Sequence, residues 1–83
     1  MTQLTNGTRL ALSRYVAGAL SRDELAEWLT QAEYDEDLPV EERDELARIG
    51  LVVVEVAEGA RPTEQILTSV ESLLAKTAEH SRR

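Results

Sequence analysis

The sequence predicts an all-α protein, a compact bundle of three to four helices built as two αα-hairpins. Apolar residues recur at helical spacing in several segments, and Gly18 and Gly59 are each followed within a few residues by signals that begin a new helix. The 83 residues are enough for one domain, residues 1–83. Because there are only three aromatic residues, the core must consist of leucine, valine, isoleucine and alanine.

The stretch GALSRDELAEWL marks the break between the first two helices. Gly18 can adopt the left-handed conformation that ends many helices. Ser21 and Glu24 have the spacing of a capping box, which begins the next helix. We therefore expect helix 1 to run from about residue 5 or 8 to residue 18. Helix 2 carries an apolar stripe formed by Leu25, Trp28, Leu29 and Ala32.

Helix 3 is predicted to begin at Pro39, which suits a first helical turn, and to end at Gly59. Residues 51–56, LVVVEV, are rich in β-branched side chains, so a strand is the alternative for this segment. Strong helix formers on both sides and the lack of a partner strand favour the helix. Gly50 lowers helix propensity and indicates a close helix crossing.

Helix 4 is predicted to begin at Pro62 and to be followed by a polar segment, residues 75–83, that frays. The two hairpins also resemble each other at an offset of 41 residues, so that Gly18 matches Gly59. Two explanations stay open at this point. One is a duplicated hairpin, and the other is the chance similarity of any two hairpins built from common residues.

The charge of the chain limits the partners it can have. A net charge of −7 repels nucleic-acid backbones and anionic membranes, so we expect neither as a partner, whereas a basic protein is electrostatically compatible. The absence of cysteine fits a reducing compartment. The N-terminal segment lacks the apolar stretch of a signal peptide, and the longest apolar run, Leu51–Val54, is far shorter than a membrane span. The sequence therefore predicts a cytoplasmic protein.

The most charged part of the chain lies between residues 33 and 45, where eight acidic residues occur with Arg43 as the one cation. A dense acidic surface speeds association with a basic partner, and Tyr34 and Leu38 can supply an apolar anchor. The alternative is a solvated loop and helix start, since acidic first turns are ordinary. The candidate partner-binding residues are Glu33, Tyr34, Asp35, Glu36, Asp37, Glu41, Glu42, Asp44 and Glu45.

Patterns that indicate catalysis or metal binding are missing from the sequence. His80 is the one histidine, which excludes a catalytic triad and a two-histidine metal site. There is no cysteine and no glycine-rich phosphate loop. A calcium loop starting at Asp35 fails because Pro39 falls on a ligand position. We therefore predict a protein that is not an enzyme and that needs no cofactor or metal.

The segment YVAGALSRDELAEWL resembles the first hairpin of small helical bacterial immunity proteins, the colicin D immunity-like family. The resemblance covers roughly the first third of the chain, and it implies a four-helix bundle that neutralises a toxin with acidic side chains against a basic active site. It implies no catalytic residue, because proteins of this type have none. The residues that carry it are Tyr15, Gly18, Leu20, Ser21, Glu24, Leu25 and Trp28.

Two functions are compatible with these observations. The first is a small non-enzymatic protein-binding module, an immunity protein or antitoxin that neutralises a basic partner. The alternative is a structural or regulatory homo-oligomer, such as a homodimer, assembled through helix 3. Its apolar residues lie nearly all round the helix from Ile49 to Val54, as in helices that form subunit interfaces. Trp28 shares a face with Leu25 and Leu29, which favours a core position over an interface anchor.

Overall fold

The computed structural model describes residues 4–81, with side chains described as far as Thr77. Within that range the chain forms four helices and no strand. The helices pack in a ring, in which α1 contacts α2, α2 contacts α3, α3 contacts α4, and α4 contacts α1. This arrangement confirms the predicted all-α bundle. The helices are α1 (Asn6–Val16), α2 (Arg22–Glu33), α3 (Val40–Ala57) and α4 (Glu64–Ser81).

The core lies inside this ring and consists of aliphatic side chains from all four helices. Trp28 is half-buried and packs against the core from α2, as its spacing predicts. Burial of these apolar side chains is the main favourable contribution to the stability of a domain this small. The side chains with no accessible surface are Leu12, Leu25, Ile66 and Val70.

The first turn has the geometry that its sequence predicts. Gly18 has a φ of 82°, and the Ala19 N–H donates to the Arg14 carbonyl at 2.8 Å, which closes the end of α1. Ser21 caps α2 through a capping box, because its hydroxyl accepts from the Glu24 N–H at 3.1 Å and the Glu24 carboxylate accepts from the Ser21 N–H at 2.9 Å. The hydrogen bond from Ser21 also holds the pKa of the Glu24 carboxyl below its ordinary value.

The second turn repeats the first. Gly59 has a φ of 81°, and the Ala60 N–H donates to the Glu55 carbonyl at 2.8 Å. Each of these residues lies 41 positions after its counterpart in the first turn, and so does Ile66 after Leu25, both of which are fully buried. The internal similarity therefore holds for the turn geometry and for the core position that follows it.

Replacing Gly18 with valine is expected to destabilise the protein by more than about 1 kcal/mol, because an L-residue with a β-branched side chain resists a positive φ. Chemical denaturation measures the effect. Gly7→Val is the matched control, since Gly7 lies in α1 with open space beside it and no positive φ. We expect the control to change the free energy of unfolding by no more than about 0.5 kcal/mol. Equal effects of the two substitutions would contradict the role assigned to the turn.

Residues 51–56 are helical and lie inside α3, which confirms the helix over the strand. The flanking helix formers and the burial of Val53 and Val56 against the core outweigh β-propensity. Gly50 differs from the expectation. A methyl group there would have no neighbouring atom within 4 Å, so no helix crossing in residues 4–81 requires the glycine.

Helix α4 differs from the prediction at both ends. It begins at Glu64, two residues after Pro62, because the Gln65 and Ile66 N–H groups first form tight turns with the carbonyls of Pro62 and Thr63. It continues to Ser81, so the backbone of residues 75–81 is helical where fraying was expected. Thr77 is buried and its hydroxyl donates to the Leu73 carbonyl, which ties this part of α4 to the bundle. Residues 82–83 and the His80 side chain lie outside the described residues.

Candidate partner-binding surface

The loop between α2 and α3, residues 34–39, has a defined shape. The Asp37 N–H donates to the Asp35 carboxylate at 3.0 Å, and the Leu38 N–H donates to the Asp35 carbonyl at 3.2 Å. Both bonds are typical of an Asx-type turn. Leu38 is half-buried and packs against the core, so it anchors the loop to the bundle and is not available to a partner.

Most of the predicted partner-binding residues lie on the surface around this loop. Tyr34 is 80% exposed, which is unusual for a large side chain with so much apolar area. Six carboxylates surround it in the sequence and are exposed as well. We call this set the acidic surface: Glu33, Tyr34, Asp35, Glu36, Asp37, Glu41 and Asp44.

Glu45 lies at the edge of the acidic surface and is half-buried. Its carboxylate contacts the Arg48 guanidinium at 3.0 Å and the Lys76 ammonium at 3.7 Å. These three residues line a cleft of about 490 Å³ between α3 and α4. Since two cations already offset its charge, Glu45 attracts a basic partner less than the exposed carboxylates do.

Glu42 is the exception among the predicted residues, because its side chain is buried, with 1% of its surface exposed. Its carboxylate accepts hydrogen bonds from the Thr5 N–H at 2.9 Å, the Thr5 hydroxyl at 3.0 Å and the Thr8 hydroxyl at 2.5 Å. A partner cannot reach this carboxylate while the bundle is folded. The assignment of Glu42 to the binding surface is therefore corrected to a structural position inside the bundle.

The location of Glu42 has a physical reason. Thr5 caps α1, and the first turn of α1 contains no acidic residue of its own, so Glu42 supplies negative charge near the positive end of that helix dipole. It also connects α3 with α1 across the ring. The sequence contained a signal for this role, since Glu42 precedes Leu46, Ile49 and Val53 on the buried stripe of α3.

A second exposed feature is an apolar face on α3. Val40, Leu51 and Val54 are 63%, 61% and 51% exposed. Between α2 and α3 lie two depressions of about 340 and 420 Å³, which share Glu33 and Ala47. We call them together the α2–α3 groove. Its lining consists of Ala26, Leu29, Thr30 and Glu33 from α2 and Val40, Arg43, Asp44, Ala47, Gly50, Leu51, Val53 and Val54 from α3.

Other kinds of site were sought in the described residues. Residues 4–81 contain no group of three or more histidine, aspartate or glutamate side chains placed to hold a metal ion. In the same part of the chain, no helix has the length and apolar character required to cross a membrane. The exposed features that remain are the acidic surface and the α2–α3 groove beside it.

These features define a class of protein, a four-helix bundle with an acidic surface on the loop between its two hairpins. No protein-family model, curated protein or solved structure matches the chain. The immunity-type resemblance therefore rests on the residues of the first hairpin and enters below as part of a proposal.

Proposed function

We propose that this protein is a non-enzymatic binding module that takes a basic protein onto its acidic surface. The observation that carries the proposal is the exposure of Tyr34, 80%, among exposed carboxylates on an ordered loop. An immunity protein or antitoxin, which neutralises a basic toxin, is the most concrete form of the proposal. The first-hairpin resemblance supports that form. The proposal includes the cytoplasmic location that the sequence predicts.

The two parts of the surface contribute differently to binding. The carboxylates attract a basic partner over about 8 Å at physiological ionic strength and raise the association rate. Tyr34 contributes apolar area and a hydroxyl at low conformational cost, as interface anchors do. Binding should therefore fall with added salt when it depends on the carboxylates, and fall at every salt concentration when Tyr34 is removed.

The triple substitution D35N/E36Q/D37N is expected to leave the fold intact and to reduce capture of the basic partner. All three side chains are exposed, and mutual repulsion is relieved, so the denaturation midpoint should not fall. The assay is a pull-down from native lysate at low and high salt with mass spectrometry of the retained proteins. Tyr34→Ala is expected to lose the same protein at both salt concentrations.

The matched control is E27Q/E58Q/E71Q. It also removes three exposed carboxylates from a chain of net charge −7, but at positions outside the acidic surface. We expect the control to retain the partner that the first triple loses. Equal loss with both triples would show that net charge, and not this surface, governs capture. Unfolding of D35N/E36Q/D37N would show that the loop carboxylates are structural.

A second candidate function is self-assembly through α3, and the exposure of Val40, Leu51 and Val54 on one face favours it. A contiguous apolar face on a small protein commonly marks an interaction site. Sedimentation and melting over a wide range of protein concentration test this candidate. A melting temperature that rises with concentration would support a homo-oligomer, whereas a constant value at a monomeric mass would exclude it.

A further inference from the structure

The fold does not require the shape of the α2–α3 groove. Gly50 has open space beside it, although any other common helical residue would stabilise α3. The first hairpin offers an internal comparison, because Arg9 and Ser13 stand 41 positions before Gly50 and Val54. The equivalent face of α1 is thus polar, with a long cation in place of the glycine. The small and apolar lining is a property of the second hairpin alone.

The groove has the dimensions and lining of a helix-binding site. Ala26, Ala47 and Gly50 are small residues that let a helix backbone approach closely, and Leu51 and Val54 provide exposed apolar contacts. From Val40 to Val54 the face is about 21 Å long at the rise of an α-helix, which corresponds to about 14 residues of a bound helix. An extended chain would leave its backbone polar groups against these side chains without partners.

The charges around the groove decide which helix fits. Glu33 and Asp44 line one end, and the exposed loop carboxylates adjoin it. At the other end, Glu27 follows Ala26 and Glu58 lies one turn after Val54, and both are exposed. A second copy of this chain would bring acidic residues against acidic residues in either orientation, which is unfavourable.

We propose that the α2–α3 groove binds an amphipathic helix with basic flanks on the partner protein. This inference rests on the proposed function and names the structural class of its ligand. Apolar side chains of the ligand helix contact Leu51, Val54 and the space above Gly50. Lysine or arginine side chains beside them reach Glu33 and Asp44 on the two rims.

The probe is a synthetic peptide of leucine and lysine, about 14 residues long, with leucines at i, i+3, i+4 and i+7. A shuffled peptide of the same composition has the same charge but no apolar face. Each peptide is labelled and titrated with the full-length protein, and the dissociation constant is measured by fluorescence anisotropy at low and physiological salt. We expect the amphipathic peptide to bind at least about tenfold more tightly than the shuffled one.

Neutral polar substitutions locate the site. Leu51→Gln removes an apolar contact, and Gly50→Gln fills the small-residue space, so each is expected to weaken the amphipathic peptide about tenfold. Leu10→Gln is the matched control, because Leu10 stands 41 positions before Leu51 and is similarly exposed, at 54%. It should leave the dissociation constant unchanged. Gly50→Gln should raise the denaturation midpoint, which separates a filled groove from a damaged fold.

The outcomes distinguish this inference from the proposed function. Equal binding of both peptides, lost in D35N/E36Q/D37N, would overturn the helix-binding groove and leave the acidic surface in place. Tight binding of the amphipathic peptide that ignores those three substitutions would support the groove and count against the acidic surface. Absence of binding at low salt would overturn the groove. A wild-type dimer that Leu51→Gln dissociates would assign the groove to a second copy and also overturn the inference.

Discussion

Replacing Glu42 with alanine is expected to destabilise the protein by about 2–4 kcal/mol. The substitution removes the acceptor of three hydrogen bonds and leaves the Thr5 N–H and the Thr8 hydroxyl without it inside the bundle. It also removes the negative charge near the start of α1. A small domain is stable by about 5 kcal/mol, so this variant should be close to unfolded. Urea denaturation followed by circular dichroism measures the loss.

Two further variants separate the causes. Glu42→Gln keeps the size and one acceptor oxygen but loses the charge, and we expect it to cost about half as much as the alanine variant. Asp44→Ala removes an exposed carboxylate from the same helix and should cost no more than about 0.5 kcal/mol. If Glu42→Ala cost no more than Asp44→Ala, the buried contacts to Thr5 and Thr8 would contribute nothing to folding.

Replacing Leu12 with alanine is expected to cost about 3 kcal/mol, because Leu12 has no accessible surface and its truncation leaves a cavity in the core. Leu10→Ala is the control on the same helix. It makes the same chemical change at a side chain that is 54% exposed, and alanine has the higher helix propensity, so we expect a change within about 0.5 kcal/mol. Denaturation midpoints of the two variants would coincide only if α1 were not packed on the bundle as described.

The acidic segment therefore contains two kinds of carboxylate with opposite expected effects. Removing Glu42 should impair folding, whereas removing Asp35, Glu36 and Asp37 should leave the fold intact and impair partner binding. The distinction matters for mutagenesis of any charged segment. A variant that replaces all its acidic residues together would lose binding through unfolding and would reveal nothing about the surface.

Much of the fold could be predicted from local chemistry. The left-handed Gly18 and Gly59, the capping box at Ser21 and the helical apolar spacing each act within a few residues, so the chain segment alone determines them. The helical state of residues 51–56 was also predictable from the helix formers on both sides, against the β-propensity of the valines.

Other features depend on contacts between segments that are distant in the sequence. Glu42 belongs to a charged run, and only the packing of α3 against the start of α1 places its carboxylate on Thr5 and Thr8, 37 and 34 residues away. Gly50 indicated a helix crossing, yet it lies beside an open groove, because its face of α3 points away from the core. Nearby residues determine where helices begin and end, whereas the docking of the helices determines which charges become buried and which apolar residues stay exposed.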